Sequence, residues 1–361
     1  MEYLKKSIWM TIVYCVILIT GCSPYLENNE IEEIAPVIFW SLDAAEEGKL
    51  EATTVVPPLV QEKKRVLTMQ VDLLKQSGKG FNLRYYRELK VGQLRVLLIN
   101  EELAKKGLRP IINTIFTDPD ISQRLYLVIV QGDVKDYIKE EIESQENLDY
   151  FLYRMLKHYE RKRQGQLSIV NLHQFMQKLY SPFSDPILPV FKAENGNFNY
   201  EGTAIFQNDK LISVVTDSDD EIYQLIGNDY YLKYLPIPKL SVVLGHVRTN
   251  VDVTFNQDLT EMNLKVELKG RIDEYQGEKN LNDLDDLAEI TNEIKSHLEN
   301  QTKAFLQKNQ EWQTDPLDIG ARTLTPFSRS IGKKEWREKW RNLQIKVKYE
   351  MDLEPLINIQ E

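Results

Sequence analysis

Apolar residues along this chain recur with two periods, and the period changes with position. Two β-like runs, 36–42 and 50–56, flank the short connection Asp43-Ala44-Ala45-Glu46-Glu47-Gly48-Lys49, which predicts a hairpin. Residues 66–73 alternate loosely and predict a further strand. After Gly78-Lys79-Gly80, the spacing of Leu83, Tyr86 and Leu89 predicts a helix over 81–89 with those three inward. The unbroken apolar run 94–99 reads as a buried strand, followed at once by a helix with marked ends. Asn100 stands at its cap, Glu101 and Glu102 suit its positive end, Lys105 and Lys106 its negative end, and Gly107 its stop. Asp118-Pro119 predicts the start of a short helix, 125–130 a strand, and Gly132-Asp133 an acidic helix through Glu143.

Two helices over 148–160 and 168–180 follow. One carries the stripe Leu148, Phe151, Leu152, Met155, Leu156 and Tyr159, the other Ile169, Leu172, Phe175, Met176 and Leu179. The proline-rich stretch 181–189 is the best linker candidate. Beyond it the pattern turns β-rich, with runs at 203–206, 210–215, 241–247, 250–255 and 263–273, the first two joined by the turn Gln207-Asn208-Asp209. A long amphipathic helix spans 281–312, with Leu284, Leu287, Ile290, Ile294, Leu298, Phe305 and Leu306 recurring at threes and fours. Residues 343–351 alternate as a final strand, Leu343, Ile345, Val347 and Tyr349 facing one way. These elements predict an α+β protein of mixed sheets with packed helices. An N-terminal region, 22–190, would hold two α+β subdomains, and the C-terminal domain, 191–361, an antiparallel sheet crossed by one long helix.

The first residues follow neither period. Lys5 and Lys6 precede the apolar run 8–19, which ends at Ile19-Thr20-Gly21-Cys22. A short positive region, an apolar core and small residues at a cut site describe an export signal over 1–21. A spanning helix needs about 20 apolar residues, more than this run holds. The cysteine after Ile-Thr-Gly makes the site a lipobox, with cleavage expected between Gly21 and Cys22. The Cys22 sulfur would carry diacylglycerol and its amino group an acyl chain. Residues 23–33 are polar and read either as a tether or as a first helical turn packed on the domain.

Composition narrows the partners. Of 361 residues 42% are hydrophobic and 28% charged, as in folded proteins, and the net charge is −10. That balance speaks against nucleic acid, which wants a basic face, and offers no overall attraction to an anionic bilayer. Membrane lipid is therefore expected as a partner through Cys22. Cys15 falls in the signal, so the mature chain has no disulfide and no thiolate metal site. The histidines His158, His173, His246 and His297 form no ligand-like pair, and no nucleophile motif, phosphate loop or dinucleotide fingerprint occurs. Glu140 with Glu141, and Asp283, Asp285 and Asp286, read as helix starts or solvated faces. No enzyme, metal or cofactor is visible. Aromatics remain as binding hints: Tyr230, Tyr231 and Tyr234 running toward Pro236 and Pro238, and Trp336 and Trp340, whose helical spacing favours core.

Several segments, in order, resemble the lipoprotein C subunits of spore germinant receptors. They are Glu30-Ile31-Glu32-Glu33-Ile34-Ala35 behind the lipobox, and Gln93-Leu94-Arg95-Val96-Leu97-Leu98-Ile99 with Glu101-Glu102-Leu103-Ala104-Lys105-Lys106-Gly107-Leu108. Asp118-Pro119-Asp120-Ile121-Ser122-Gln123-Arg124 and Ser184-Asp185-Pro186-Ile187-Leu188-Pro189 come next. Gly202-Thr203-Ala204-Ile205-Phe206 with Asp209-Lys210-Leu211 opens the C-terminal part, and Gln310, Asp315-Pro316-Leu317-Asp318-Ile319-Gly320, Trp336 and Trp340 close it. The sequence departs from the family pattern at Ser23-Pro24, where Trp-Asp is usual, at Thr117, where arginine is usual, and in lacking a glycine near the end of the last strand. The resemblance implies a non-enzymatic receptor subunit of three α+β domains on the outer face of the spore inner membrane. Its implied partners are two integral membrane subunits, one channel-like and one transporter-like. A solute-binding lipoprotein of a transporter shares the lipobox but wants two similar α/β lobes, which the β-rich C-terminal half does not offer.

Overall fold

The structure is a computed structural model that describes residues 9–10, 33–58, 63–144, 148–162, 167–194, 197–227, 231–324 and 331–355. Cys22, Gly21 and Tyr230 lie outside the described residues, as do the side chains of Glu140 and Glu141.

The expected hairpin forms from β2 (Phe39–Ala44) and β3 (Leu50–Val56), paired antiparallel. A short β1 (Ile34–Pro36) precedes it, and β4 (Arg65–Val71) extends it at the edge. Next come α1 (Leu74–Asn82), β5 (Glu88–Lys90), which pairs parallel with β1, and β6 (Val96–Asn100). The predicted helix over 81–89 is not observed: the helix lies one segment earlier, Leu83 and Tyr86 face solvent, and Leu89 sits in β5. Gly78 and Gly80 do not break the chain: both lie inside α1, and Gly80 faces the Met69 side chain where α1 packs on β4.

Asn100 caps α2 (Glu101–Lys106) by accepting from the Glu102 amide at 2.9 Å, as its position predicts. The expected helix at Asp118-Pro119 is replaced by α3 (Arg109–Phe116), which takes Pro110 in its first turn. Asp118 instead closes a turn, accepting from the Asp120 amide at 3.1 Å. Then follow β7 (Tyr126–Gly132), α4 (Val134–Ser144), α5 (Leu148–Lys162) and α6 (Leu172–Tyr180). Three further strands, β8 (Ile187–Glu194), β9 (Asn197–Gln207) and β10 (Lys210–Val215), complete an eight-stranded sheet in the order β10-β9-β8-β7-β6-β2-β3-β4. Its centre, β2, β6, β7 and β8, is parallel, and both edges are antiparallel. The run 94–99 is apolar throughout because both faces are covered. Leu97 and Ile99 point to one buried cluster, Val96 and Leu98 to the other, which includes residues of α4 and α5. The point between 190 and 191 falls inside β8, so the large sheet runs straight through it.

The chain then adds α7 (Asp217–Gly227), β11 (Tyr231–Ile237), β12 (Val242–Phe255), β13 (Glu261–Tyr275), α8 (Leu284–Trp312), α9 (Lys333–Asn342) and β14 (Gln344–Glu354). The sheet β11-β12-β13-β14 is antiparallel through its first three strands, as expected, but β14 joins β13 in parallel. The long helix is the reason. At 29 residues it runs about 43 Å and carries the chain back to the start of β13 before β14 begins. The runs predicted at 241–247 and 250–255 are one strand, interrupted by a bulge between Gly245 and Arg248. The stripe on α8 is buried as expected at Ile290, Ile294, Leu298, Phe305 and Leu306, while Leu284, in the first turn, is exposed. Residues of both sheets belong to one buried apolar cluster.

Candidate functional site

Two sequence segments with no local relation meet in the structure: Ser184-Asp185-Pro186, just ahead of β8, and Thr314 to Gly320, just after α8. Asp185 is almost fully buried and forms the centre of the contact. Its amide donates to the Asp315 carbonyl at 2.9 Å, and its Oδ2 accepts from the Asp315 amide at 3.0 Å. Its Oδ1 accepts from the Asn208 amide at 3.1 Å and pairs with Arg337 Nη2 of α9 at 2.9 Å. One carboxylate therefore ties together the β9–β10 turn, the loop after α8, and α9. Such a charge is tolerated inside because each oxygen is hydrogen-bonded and a guanidinium balances it.

Asp315 folds its own loop. Its Oδ1 accepts from the Ile319 amide at 2.9 Å and its Oδ2 from the Gly320 amide at 2.7 Å. Burial pushes its carboxyl up to about 7; the two amides oppose that rise, and the nearby charges of Asp318 and Asp185 add to it. On the outer side Lys178 of α6 donates to the Pro316 carbonyl at 2.8 Å and pairs with Asp318 at 3.1 Å, and Ser184 donates to Asp318. Trp336 and Trp340 back the loop as a stacked pair with centroids 5.7 Å apart, and Trp340 Nε1 donates to the Thr314 carbonyl at 2.9 Å. A side chain at Gly320 would stand 2.5 Å from Trp336 Nε1, so only glycine fits. Gln310 donates to the carbonyls of Trp340 and Leu343 at 2.7 and 2.9 Å. The tryptophans are core, as their spacing favoured.

A second buried cluster holds α7 against β9. Tyr200 and Thr203 donate to the two oxygens of Asp220 at 2.8 and 2.7 Å, and burial raises the Asp220 carboxyl above its ordinary value. Between the clamp and this cluster lies a cleft of about 910 Å³, lined by Ser168, Gln174, Lys178, Ser184, Tyr223 and Asp318 among others. The sequence reading passed over α7 although Asp217, Asp219 and Asp220 mark its first turn.

The remaining candidates disperse. His158, His173 and His246 are exposed on separate elements, and His297 lies half-buried on α8, where burial and Lys239 lower its pKa. Among the described residues, no group of three His, Cys, Asp or Glu is placed to hold a metal. Asp283 caps α8 by accepting from the amides of Asp285 and Asp286. Tyr231 hydrogen-bonds His246, and Tyr234 is partly exposed beside Lys233. None of the described helices is long and apolar enough to cross a membrane.

The fold is α+β, with the loop after α8 and α9 tied to the segment ahead of β8 and to the β9–β10 turn through the hydrogen-bonded carboxylates of Asp185 and Asp315. Residues 27–193 match the family model described as the spore germination protein N-terminal domain, and residues 201–355 match the one described as spore germination B3/GerAC like, C-terminal. The chain belongs to this family, the germinant-receptor C subunits that its motifs resemble. It is 21% identical to the spore germination protein GerQC of Bacillus cereus, over 94% of this chain and 96% of that one. It is also 21% identical to YfkR of Bacillus subtilis (strain 168), whose description likewise places it in spore germination, over 95% of each chain. The crystal structure of the GerBC protein aligns with a TM-score of 0.49 at 14% identity, covering 87% of this chain and 96% of that one.

Proposed function

We propose that this chain is a non-enzymatic subunit of a nutrient germinant receptor, held by lipid on Cys22 at the outer face of the spore inner membrane. The signal over 1–21 directs export and is cut between Gly21 and Cys22, and the acyl chains of the diacylglycerol and the amino group on this residue give an anchor that a single chain would not. The subunit works with a channel-like and a transporter-like integral membrane subunit, in assembling the receptor or in passing on the nutrient signal. The observation that carries this reading is the run of both family modules, 27–193 and 201–355, through nearly the whole chain behind the lipobox. The structure supports a single signalling body, because β9 and β10 complete the sheet that β8 belongs to and Asp185, Asp315 and Arg337 join that sheet to the loop after α8 and to α9. Deleting the gene is expected to abolish germination with one set of nutrients and spare the others; normal germination with every nutrient sinks the proposal. Cys22→Ala is expected to leave the mature protein without labelled fatty acid, and retained label refutes the anchor.

A further inference from the structure

We infer that the end of the fold where the chain arrives from Cys22 is a membrane-facing surface, and that its occupant is an anionic lipid bilayer. The inference rests on the lipid anchor proposed above. The chain joins the fold at Ile34, and buried Arg87 ties that point down, donating to the Ile34 carbonyl and, at 2.9 Å, to the Pro57 carbonyl. The Glu88 amide donates to the Glu33 carbonyl at 2.7 Å. Val56, next to Pro57, pairs with Arg65 at the start of β4, and Arg84 reaches the Thr68 carbonyl at 3.5 Å. Ile34, Pro57, Arg65 and the loop after α1 therefore share one end of the molecule.

At that end Leu83 and Tyr86 stand 79% and 65% exposed. Lys63, Arg65, Lys79 and Arg84 are also exposed toward this end, in a chain whose net charge is −10. Among the described residues the acids there are Glu33 and Glu88, the latter paired with Lys90 at 3.0 Å, while Glu62 and the Glu27, Glu30 and Glu32 of the arriving segment lie outside them. On α1 the buried residues Leu74, Ser77 and Phe81 set the inner face, so Lys79 and Leu83, four apart, share the outer one. Exposed apolar side chains with long basic ones at the same end suit the headgroup layer: the apolar groups enter the acyl boundary and the cations stay at the phosphates. It suits a protein partner poorly, since interface cores are depleted of lysine. Reach agrees. The step from Cys22 to Glu33 is 11 residues (33 − 22), which span at most about 40 Å.

The test uses the full mature lipoprotein. With Cys15 removed in the signal and Cys22 acylated, Leu83→Cys supplies the sole free thiol for an environment-sensitive fluorophore. Leu284→Cys, on a side chain 81% exposed at the start of α8, is the reference. In vesicles of phosphatidylglycerol and phosphatidylcholine carrying a lipid-borne quencher, quenching at Leu83 is expected to exceed that at Leu284 several-fold, with emission shifted to shorter wavelength. Lys79→Glu and Arg84→Glu should weaken the contact about fivefold per basic residue removed. Pure phosphatidylcholine should weaken it likewise. Equal quenching at the two positions, with labelled fatty acid on Cys22, overturns the inference alone. A chain without that label overturns the anchor reading and takes the inference with it.

Discussion

The clamp and the surface where the chain joins the fold use residues in opposite ways. At the clamp, the Asp185 and Asp315 carboxylates are buried beside a partly exposed guanidinium, Asp185 alone making contacts to Asp315, Asn208 and Arg337. At the other site Leu83 and Tyr86 are left in solvent with exposed basic side chains at the same end. The difference separates two jobs. Buried charge without its partners is severely destabilising, so it fixes the loop after α8 and α9 in one place against the large sheet. Leu83 lies in solvent and Tyr86 keeps a ring contact to Tyr85, with centroids 4.9 Å apart, so most of this apolar area is free to meet an outside surface.

The largest expected effect falls on the clamp. Asp185→Ala leaves Arg337 without its carboxylate and the buried Asp315 amide and part-buried Asn208 amide without an acceptor, and should cost about 3–5 kcal/mol. Denaturant unfolding measures it, and a loss below 1 kcal/mol would mean that the loop after α8 is held without help from Asp185.

The second effect is a pH dependence. In the folded protein burial raises the Asp315 carboxyl from the ordinary 3.8 to about 7. Between those values the folded chain keeps a proton that the unfolded chain has released. The contribution of Asp315 to stability is therefore full below about pH 4, falls as pH rises toward 7, and levels off above. The slope is at most about 1.4 kcal/mol per pH unit. Asp43, raised by burial to about 6, and Glu221, raised to about 7, add slopes of the same sign. The difference between the wild type and Asp315→Asn isolates this one group: the variant should show a shallower decline over that window, and parallel curves would remove Asp315 from the account.

These residues also mark the limit of what was legible. Asp185 and Asp315 stood out only as motif fragments, because nothing local in a chain reveals that positions 130 apart exchange hydrogen bonds. The tryptophans were legible as core from their spacing of four. The buried strand at 94–99 and its capped helix were legible too, since cap and apolar run are local signals. The α1 region was misread because Gly78-Lys79-Gly80 looked like punctuation, whereas both glycines lie inside α1 and Gly80 faces Met69. The large sheet runs through 190 and 191 even though the family models meet between 193 and 201, because β8 is apolar and pairs on both sides despite Pro189. The parallel β14 depends on where a 29-residue helix delivers the chain, which no strand pattern contains.

A third effect is steric. Gly320→Ala places a methyl against Trp336 Nε1, where the gap is 2.5 Å, and the stacked tryptophans leave little room to yield. Overpacking of this kind costs about 1–3 kcal/mol. A wild-type midpoint in denaturant would show that the 315–320 loop can retreat from the tryptophan pair.

The smallest effect sharpens the comparison most. Leu83→Ser combined with Tyr86→Ser removes apolar area that the folded chain already leaves in water, so stability in solution should stay within about 0.5 kcal/mol of the wild type. The neighbouring Phe81 gives the contrast, since it is buried on the inner face of the same helix. Phe81→Ala should cost about 3–5 kcal/mol. If the double serine variant lost more than 1 kcal/mol, Leu83 and Tyr86 would be packing groups like Phe81, and the surface would need no outside occupant. Unchanged folding together with lost lipid contact would separate the two jobs cleanly, because the same substitutions would then leave the clamp untouched while changing how the protein sits on its membrane.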